Sequence, residues 1–123
     1  MNYITDTHAL VWYFTENELL SGKAQEAFHR IIEKGLIIIP TIVLAEILYI
    51  SKRARISLSF EETLEKIKSY ENFDISPLDV DILKVANKIE IDIEMHDRLI
   101  IATAMNYDAT LITKDEIFNS KEN

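Results

Sequence analysis

The stretch that decides the fold is His96-Asp97-Arg98-Leu99-Ile100-Ile101-Ala102-Thr103-Ala104-Met105, followed by Asn106-Tyr107-Asp108 and then Ala109-Thr110-Leu111-Ile112-Thr113-Lys114-Asp115. From Leu99 to Met105 no side chain is charged, so a helix here has no solvent face and must be packed among other elements. Asp97 stands at the mouth of that helix. Ala109 to Thr113 is a short apolar run bounded by polar residues, which predicts a buried strand, and Asp115 follows its carboxyl end. Ligands of open α/β sheets gather at that edge, so the rest of the chain is searched for acids arriving at the same place.

Two such acids lie upstream. Asn2 to Thr5 is a β-prone run closed by Asp6, and Ala9 to Phe14 continues as an apolar helix, giving strand, acid, helix. Ser21 caps a helix carrying Ala24, Ala27, Phe28, Ile31 and Ile32 at spacings of three and four, which stops at Gly35. Leu36 to Ile39 is a continuous apolar strand ended by Pro40, a residue suited to a helix entrance. The helix from Thr41 to about Arg53 places Glu46 alone among Ile42, Val43, Tyr49 and Ile50 on one face, where a carboxylate needs a partner such as Arg98 or Lys114. A helix from Ser59 to Tyr70 opens with Ser59 and Glu62 in capping-box positions. Phe73 to Ile75 reads as an apolar link, and Pro77 as the start of a helix through Val80, Leu83, Val85, Ala86 and Ile89. Alternating strands and helices predict an α/β fold with a mainly parallel central sheet covered on both faces.

Composition narrows the function. With 123 residues and 48% hydrophobic content, the chain suits a single domain, 1–123. The absence of Cys removes disulfides, thiolate metal sites and cysteine nucleophiles. Two glycines, Gly22 and Gly35, exclude a phosphate loop or dinucleotide fingerprint. The longest uncharged apolar runs, Leu36 to Ala45 and Leu99 to Met105, are too short to span a bilayer, so the expectation is a soluble cytoplasmic protein with no membrane partner. A formal charge of −8 opposes broad attraction to nucleic acid, which leaves a local basic patch or divalent cations as the means of holding phosphate. Lys52, Arg53 and Arg55 form the one dense basic cluster, readable as a solvated helix end or as a phosphate contact.

Each acid has an ordinary explanation. Asp6 and Asp97 suit helix caps, Asp115 suits a cap for Glu116 to Phe118, and Glu46 suits an internal ion pair. Together they suggest more. Converging carboxylates repel and raise one another's pKa unless protons or cations intervene, and an all-oxygen donor set favours Mg²⁺ or Mn²⁺ over zinc. His8, His29 and His96 show no zinc-type spacing and are assigned no catalytic role. Trp12, Tyr13 and Phe14 read as core or dimer contacts before they read as base-stacking residues.

Four segments in order, Asp6-Thr7-His8-Ala9-Leu10, Thr41-Ile42-Val43-Leu44-Ala45-Glu46-Ile47, Asp97-Arg98-Leu99-Ile100-Ile101-Ala102-Thr103-Ala104 and Leu111-Ile112-Thr113-Lys114-Asp115, resemble the PIN-domain ribonucleases, most closely the VapC-type toxins of toxin-antitoxin pairs. The resemblance covers nearly the whole chain. It implies a three-layer α/β/α domain, a Mg²⁺- or Mn²⁺-dependent endoribonuclease acting on RNA, a cognate antitoxin protein and a homodimer. Carried over by position, the family's acids fall on Asp6, Glu46, Asp97 and Asp115, with Thr113 as the supporting hydroxyl. Alternatives are a non-cleaving PIN-like module that binds RNA or a partner, and a phosphoacceptor signalling domain. The latter expects paired acids after the first strand and Lys-Pro after the last, where this chain has Asp6-Thr7 and Lys114-Asp115.

Overall fold

The structure is a computed structural model that describes residues 1–53 and 57–113 and the backbone of 117–119. Five strands, β1 (Asn2–Thr5), β2 (Leu36–Pro40), β3 (Phe73–Ser76), β4 (Thr110–Ile112) and β5 (Ile117–Asn119), form one sheet in the order β3-β2-β1-β4-β5. The first four are parallel, and β5 returns antiparallel to β4. The helices are α1 (Thr7–Phe14), α2 (Gly22–Lys34), α3 (Thr41–Lys52), α4 (Phe60–Lys68), α5 (Val80–Asn87) and α6 (Met95–Asn106).

The two faces of the sheet follow from the period-two alternation of buried strands. Ile37 and Ile39 of β2 join the large cluster made with Leu10, Phe14, Phe28, Val43 and Ile47 from α1, α2 and α3. Ile38, between them, points the other way and meets Ile4 and Ala104 of α6. Behind α6, Leu99 and Ala102 pack on Ile82 and Ala86 of α5. The result is the three-layer α/β/α arrangement. The charge-free stretch is largely enclosed as its sequence requires: Leu99, Ile100, Ala102, Thr103 and Ala104 are buried, Ile101 is half-buried, and Met105 reaches solvent.

Local chemistry sets the element ends. Ser21 Oγ accepts from Ala24 N at the start of α2. At α4, Ser59 Oγ accepts from Glu62 N at 3.1 Å while Glu62 Oε1 accepts from Ser59 N at 3.4 Å, the reciprocal pair the sequence predicts. Pro40 is itself the cap residue of α3.

Three expectations are corrected. Phe73 to Ile75 is not a link but the core of edge strand β3, because β2 offers it a free ladder from Ile37 to Pro40; Asp74 faces solvent while Phe73 is buried. Pro77 does not start α5. Asp79 does, its Oδ1 accepting from Ile82 N at 3.0 Å, while Leu78 N is taken by Thr41 Oγ1. Finally, Ile117–Asn119, which overlaps the segment read as capped by Asp115, is strand β5, which covers the otherwise unpaired side of β4. Asp115, Lys114 and Glu116 lie outside the described residues, as does Arg55.

Phe28 is fully buried and stacks on Tyr13 with ring centroids 4.4 Å apart. Phe28→Ala should cost about 3–5 kcal/mol, against about 1 kcal/mol for Ser59→Ala, measured by urea denaturation. Equal losses from the two would mean that the α1–α2 cluster is not the stabilising centre.

Candidate active site

Strand order places the site before any acid is considered. From β1 the chain moves outward to β2 and β3, then crosses back to β4 on the other side of β1, so the order reverses between β1 and β4. At such a point the connections diverge to opposite faces and leave a crevice at the carboxyl ends of the strands. Thr5 pairs with Ile112, and Asp6 N donates to Ile112 O at 3.1 Å. Asp6 and Thr113, the residues that follow those strands, therefore sit side by side at the switch point.

Asp6 also caps α1, its Oδ1 accepting from Ala9 N at 2.8 Å. The ordinary explanation for Asp6 is thus correct, and it fixes the carboxylate at the crevice. Glu46 reaches the same place from α3. It is half-buried, and its Oε1 accepts a 2.8 Å hydrogen bond from Thr7 Oγ1. Thr7 is buried and directly follows Asp6, so one hydroxyl ties two acid-bearing segments 39 residues apart. The expected partner Arg98 is engaged elsewhere: its guanidinium donates to the carbonyls of Ile89 and Ile91. Lys114, the other expected partner, is among the residues not described.

The third acid arrives with α6. The end of α6 lies at the amino edge of the sheet, where Asn2 Nδ2 donates to Tyr107 O, and twelve helical residues of about 1.5 Å rise carry its first turn to the carboxyl edge. Asp97 is exposed in that first turn. It is not the cap, contrary to its ordinary reading. Glu94 holds that position, with Oε2 accepting from His96 N at 2.9 Å and Asp97 N at 3.3 Å, and Oε1 paired with His96 Nδ1 at 2.6 Å.

This pair shapes the local charge. The His96 hydrogen bond holds the Glu94 carboxyl below its ordinary 4.5. The Glu94 hydrogen bond raises His96 above 6.5 against its partial burial, and the negative charges of Glu46, Glu94 and Asp97 add to the rise. His96 thus lies in the field of both Glu46 and Asp97, which links the entrance of α6 to the acid on α3.

Among the described residues, no three His, Cys, Asp or Glu side chains are grouped closely enough to be a complete set of ion ligands. The donors the fold brings to this edge are nevertheless oxygen donors of the right chemistry. Asp6 and Glu46 are joined through Thr7, and Asp97 stands at the mouth of α6. An open carboxylate set suits Mg²⁺, which keeps several waters and takes substrate phosphate as a ligand. Two clefts lie elsewhere. One of about 400 Å³ is lined by Tyr3, Arg30, Lys34 and Thr110, and one of about 340 Å³ by Trp12, Tyr13, His29, Lys66 and Tyr70. Neither contains a candidate acid. Tyr13 and Phe14 belong to the core as expected, and Lys52 in the last turn and Arg53 at the C-cap close the far end of α3, about 9 Å along the helix from Glu46.

Thr7 and His96 are neighbours of the acids to which sequence reading gave no role. Thr7 and His96 adjoin Asp6 and Asp97 in the chain, and that adjacency was the available signal. The pairing has a direct pH signature. The raised imidazole contributes stability that is present below 6.5 and lost as pH rises through its folded value; the lowered carboxyl contributes above 4.5 and is lost as pH falls. The His96 titration midpoint, followed by NMR, should lie above 6.5 and move down in Glu94→Gln. A midpoint indifferent to that substitution would separate the two residues.

A PIN-domain family model matches residues 3–123. No curated protein sequence matches the chain. Among solved structures, a chain of the VapBC2 complex from Rickettsia felis bound to a promoter DNA fragment superposes with a TM-score of 0.66 at 22% identity, covering 90% of this chain and 86% of that one. A toxin-antitoxin complex from Klebsiella pneumoniae gives a TM-score of 0.63 at 19% identity, covering 89% and 82%. At such identities the likeness speaks for the fold, and it agrees with the strand order and layers described above. The family match spans nearly the whole chain, and the protein belongs to the PIN domain family.

Proposed function

We propose that the protein is a divalent-metal-dependent endoribonuclease, with Asp6, Glu46, Asp97 and Asp115 as catalytic and metal-binding carboxylates and Thr113 as a supporting hydroxyl. The observation that carries this reading is the Thr7–Glu46 hydrogen bond. It ties the acid from the middle of α3 to the residue that directly follows the acid at the end of β1, and it does so through a neutral hydroxyl that leaves the carboxylate its charge. Mg²⁺ or Mn²⁺ held there supplies a water of lowered pKa and counter-charge for the scissile phosphate.

The chain's own residues do the positioning. Asp6 is pinned through its backbone to β4 and through its side chain to α1. Thr7 occupies one Glu46 oxygen from the buried side. Such carboxylates orient the substrate phosphate for displacement by water, with no covalent enzyme intermediate. The solved structures of similar fold come from toxin-antitoxin complexes, which supports a cognate antitoxin protein as partner and a toxin role for this chain. Leu78, Val80 and Leu83, exposed on and just before α5, offer apolar surface for a protein contact, either the antitoxin or a second copy in a homodimer. A cytoplasmic location accords with an RNA substrate.

The purified protein should cleave structured RNA when Mn²⁺ is added, and Asp6→Asn and Asp97→Asn should each lose more than about a hundredfold, the upper range for residues that merely support metal ligands. Cleavage by the variants at the wild-type rate would remove these acids from the reaction. Millimolar Mg²⁺ or Mn²⁺ should raise the wild-type melting midpoint and raise it less in the Asn variants. Thr7→Val, nearly the same in shape, should reduce cleavage by about 10–100-fold through Glu46. Unchanged cleavage there would mean that the Thr7–Glu46 bond serves the fold alone.

A further inference from the structure

The helix that carries Glu46 also carries an aromatic ring and two cations on its outer side. Tyr49 and Arg53 follow Glu46 by three and seven residues, spacings that return to nearly the same side of a helix with about 3.6 residues per turn. Val43, Leu44 and Ile47 close the inner side of α3, while Tyr49, Lys52 and Arg53 are all exposed. Glu46, half-buried, borders that outer side, with Tyr49 about 4.5 Å and Arg53 about 10.5 Å further along the axis.

Tyr49 is unlike the other four tyrosines. Tyr3, Tyr13, Tyr70 and Tyr107 are half-buried, and each is engaged. The hydroxyls of Tyr3 and Tyr107 lie 3.0 Å from Met1 Sδ and Ser76 Oγ, and the rings of Tyr13 and Tyr70 stack on Phe28 and Phe73 at 4.4 and 4.5 Å. Tyr49 is 63% exposed, the only exposed Phe, Tyr or Trp among the described residues, and there neither its ring nor its hydroxyl has a partner. Lys52 and Arg53 likewise make no ion pair or side-chain hydrogen bond among the described residues.

The surroundings of the ring decide what it suits. Its helical neighbours are Ala45, Glu46, Lys52 and Arg53, so it stands among charges, whereas the centre of a protein contact is depleted of them. An open aromatic face beside a cation is the combination that holds a nucleic-acid strand, the base on the ring and the phosphate on the cation. In a chain of net charge −8 these cations also provide, beside an acid of the proposed site, the phosphate contact that the overall charge does not.

We propose that Tyr49 and Arg53 bind the substrate RNA to one side of the cut, with an unpaired base stacked on the Tyr49 ring and a phosphate further along the strand on Arg53. The assignment rests on the nuclease reading above and deepens it. A base laid on a side-chain ring has left its own stack, so the RNA segment held here is single-stranded.

Steady-state cleavage of a fluorescent single-stranded RNA with Mn²⁺ tests it, on wild type, Tyr49→Ala, Tyr49→Phe and Arg53→Ala. The Mn²⁺-induced rise in melting midpoint and the sedimentation coefficient are measured on each. Tyr49→Ala should raise KM about tenfold and keep kcat within about twofold, as for a contact made equally in ground and transition states. Tyr49→Phe, which keeps the ring face, should recover most of the loss. In Arg53→Ala the slope of log KM against log salt should fall by about 0.7, the value of one phosphate contact on a single strand. All three variants should retain the Mn²⁺ shift. An unchanged KM in an active Tyr49→Ala, or an unaltered salt slope in Arg53→Ala, overturns the assignment and leaves the nuclease reading intact. An equal rise in KM with Tyr49→Phe overturns stacking in favour of a hydroxyl contact. Conversion of a dimer to a monomer by Tyr49→Ala overturns it in favour of a contact between copies. An inactive wild type that shows no Mn²⁺ shift removes the nuclease reading, and the assignment with it.

Discussion

The structure depends on β1 being paired on both sides and buried on both faces. Ile4 and Thr5 have no exposed surface, β2 lies parallel on one side and β4 on the other. A central strand of this kind has one exit, at its carboxyl end, and there the chain must turn into a helix whose first N–H groups need acceptors. Asp6 meets that need. The same placement puts the carboxylate at the reversal of strand order, so the helix cap and the proposed metal-binding carboxylate are one side chain.

Glu46 shows how a polar group is retained within an apolar helix. Surrounded in sequence by Ile42, Val43, Ile47 and Ile50, it is predicted from its neighbours alone to pair with a countercharge. The fold supplies a hydroxyl. A hydrogen bond from Thr7 satisfies one oxygen without cancelling the charge, which a salt bridge to Arg98 would have done. A neutralised glutamate would offer little to a cation or a phosphate, whereas a hydrogen-bonded one keeps its charge and gains a fixed direction. The same logic separates the two neighbours of Asp97, with Arg98 assigned to backbone carbonyls and His96 to the acidic edge.

Much of this was legible in the sequence wherever a single physical rule decided the outcome. A β-prone run closed by Asp6 identified β1, a continuous apolar run ended by Pro40 identified β2, spacing of three and four gave α2, and Ser59 with Glu62 marked the start of α4. Elements that depend on a distant partner were harder to see. Phe73–Ser76 has too few apolar residues to declare itself a strand and becomes one through the ladder of β2. Ile117–Asn119 is a strand because β4 would otherwise be an open edge. The positions of Asp6, Glu46 and Asp97 were readable as anomalies in apolar surroundings, but the hydroxyl and imidazole beside them were not. Thr7 and His96 are ordinary residues in sequence and acquire meaning only through contacts across 39 residues in one case and a two-residue loop closure in the other.

The entrance of α6 carries the last step of the argument. A helix whose interior is free of charge gains nothing from solvent along most of its length, so its orientation is set by its packing and by its first turn. In that turn Glu94 satisfies two orphan N–H groups and one imidazole, and Arg98 fastens the preceding connection at Ile89 and Ile91. Asp97 lies between these two fastenings and gives only its backbone N–H to the first. Freed from the capping task by Glu94, it is held in place by its neighbours while its own carboxylate remains exposed at the carboxyl edge of the sheet. A residue kept only to start a helix would be where Glu94 is. The separation of the two tasks between Glu94 and Asp97 is the reason the second acid is included in the proposed site.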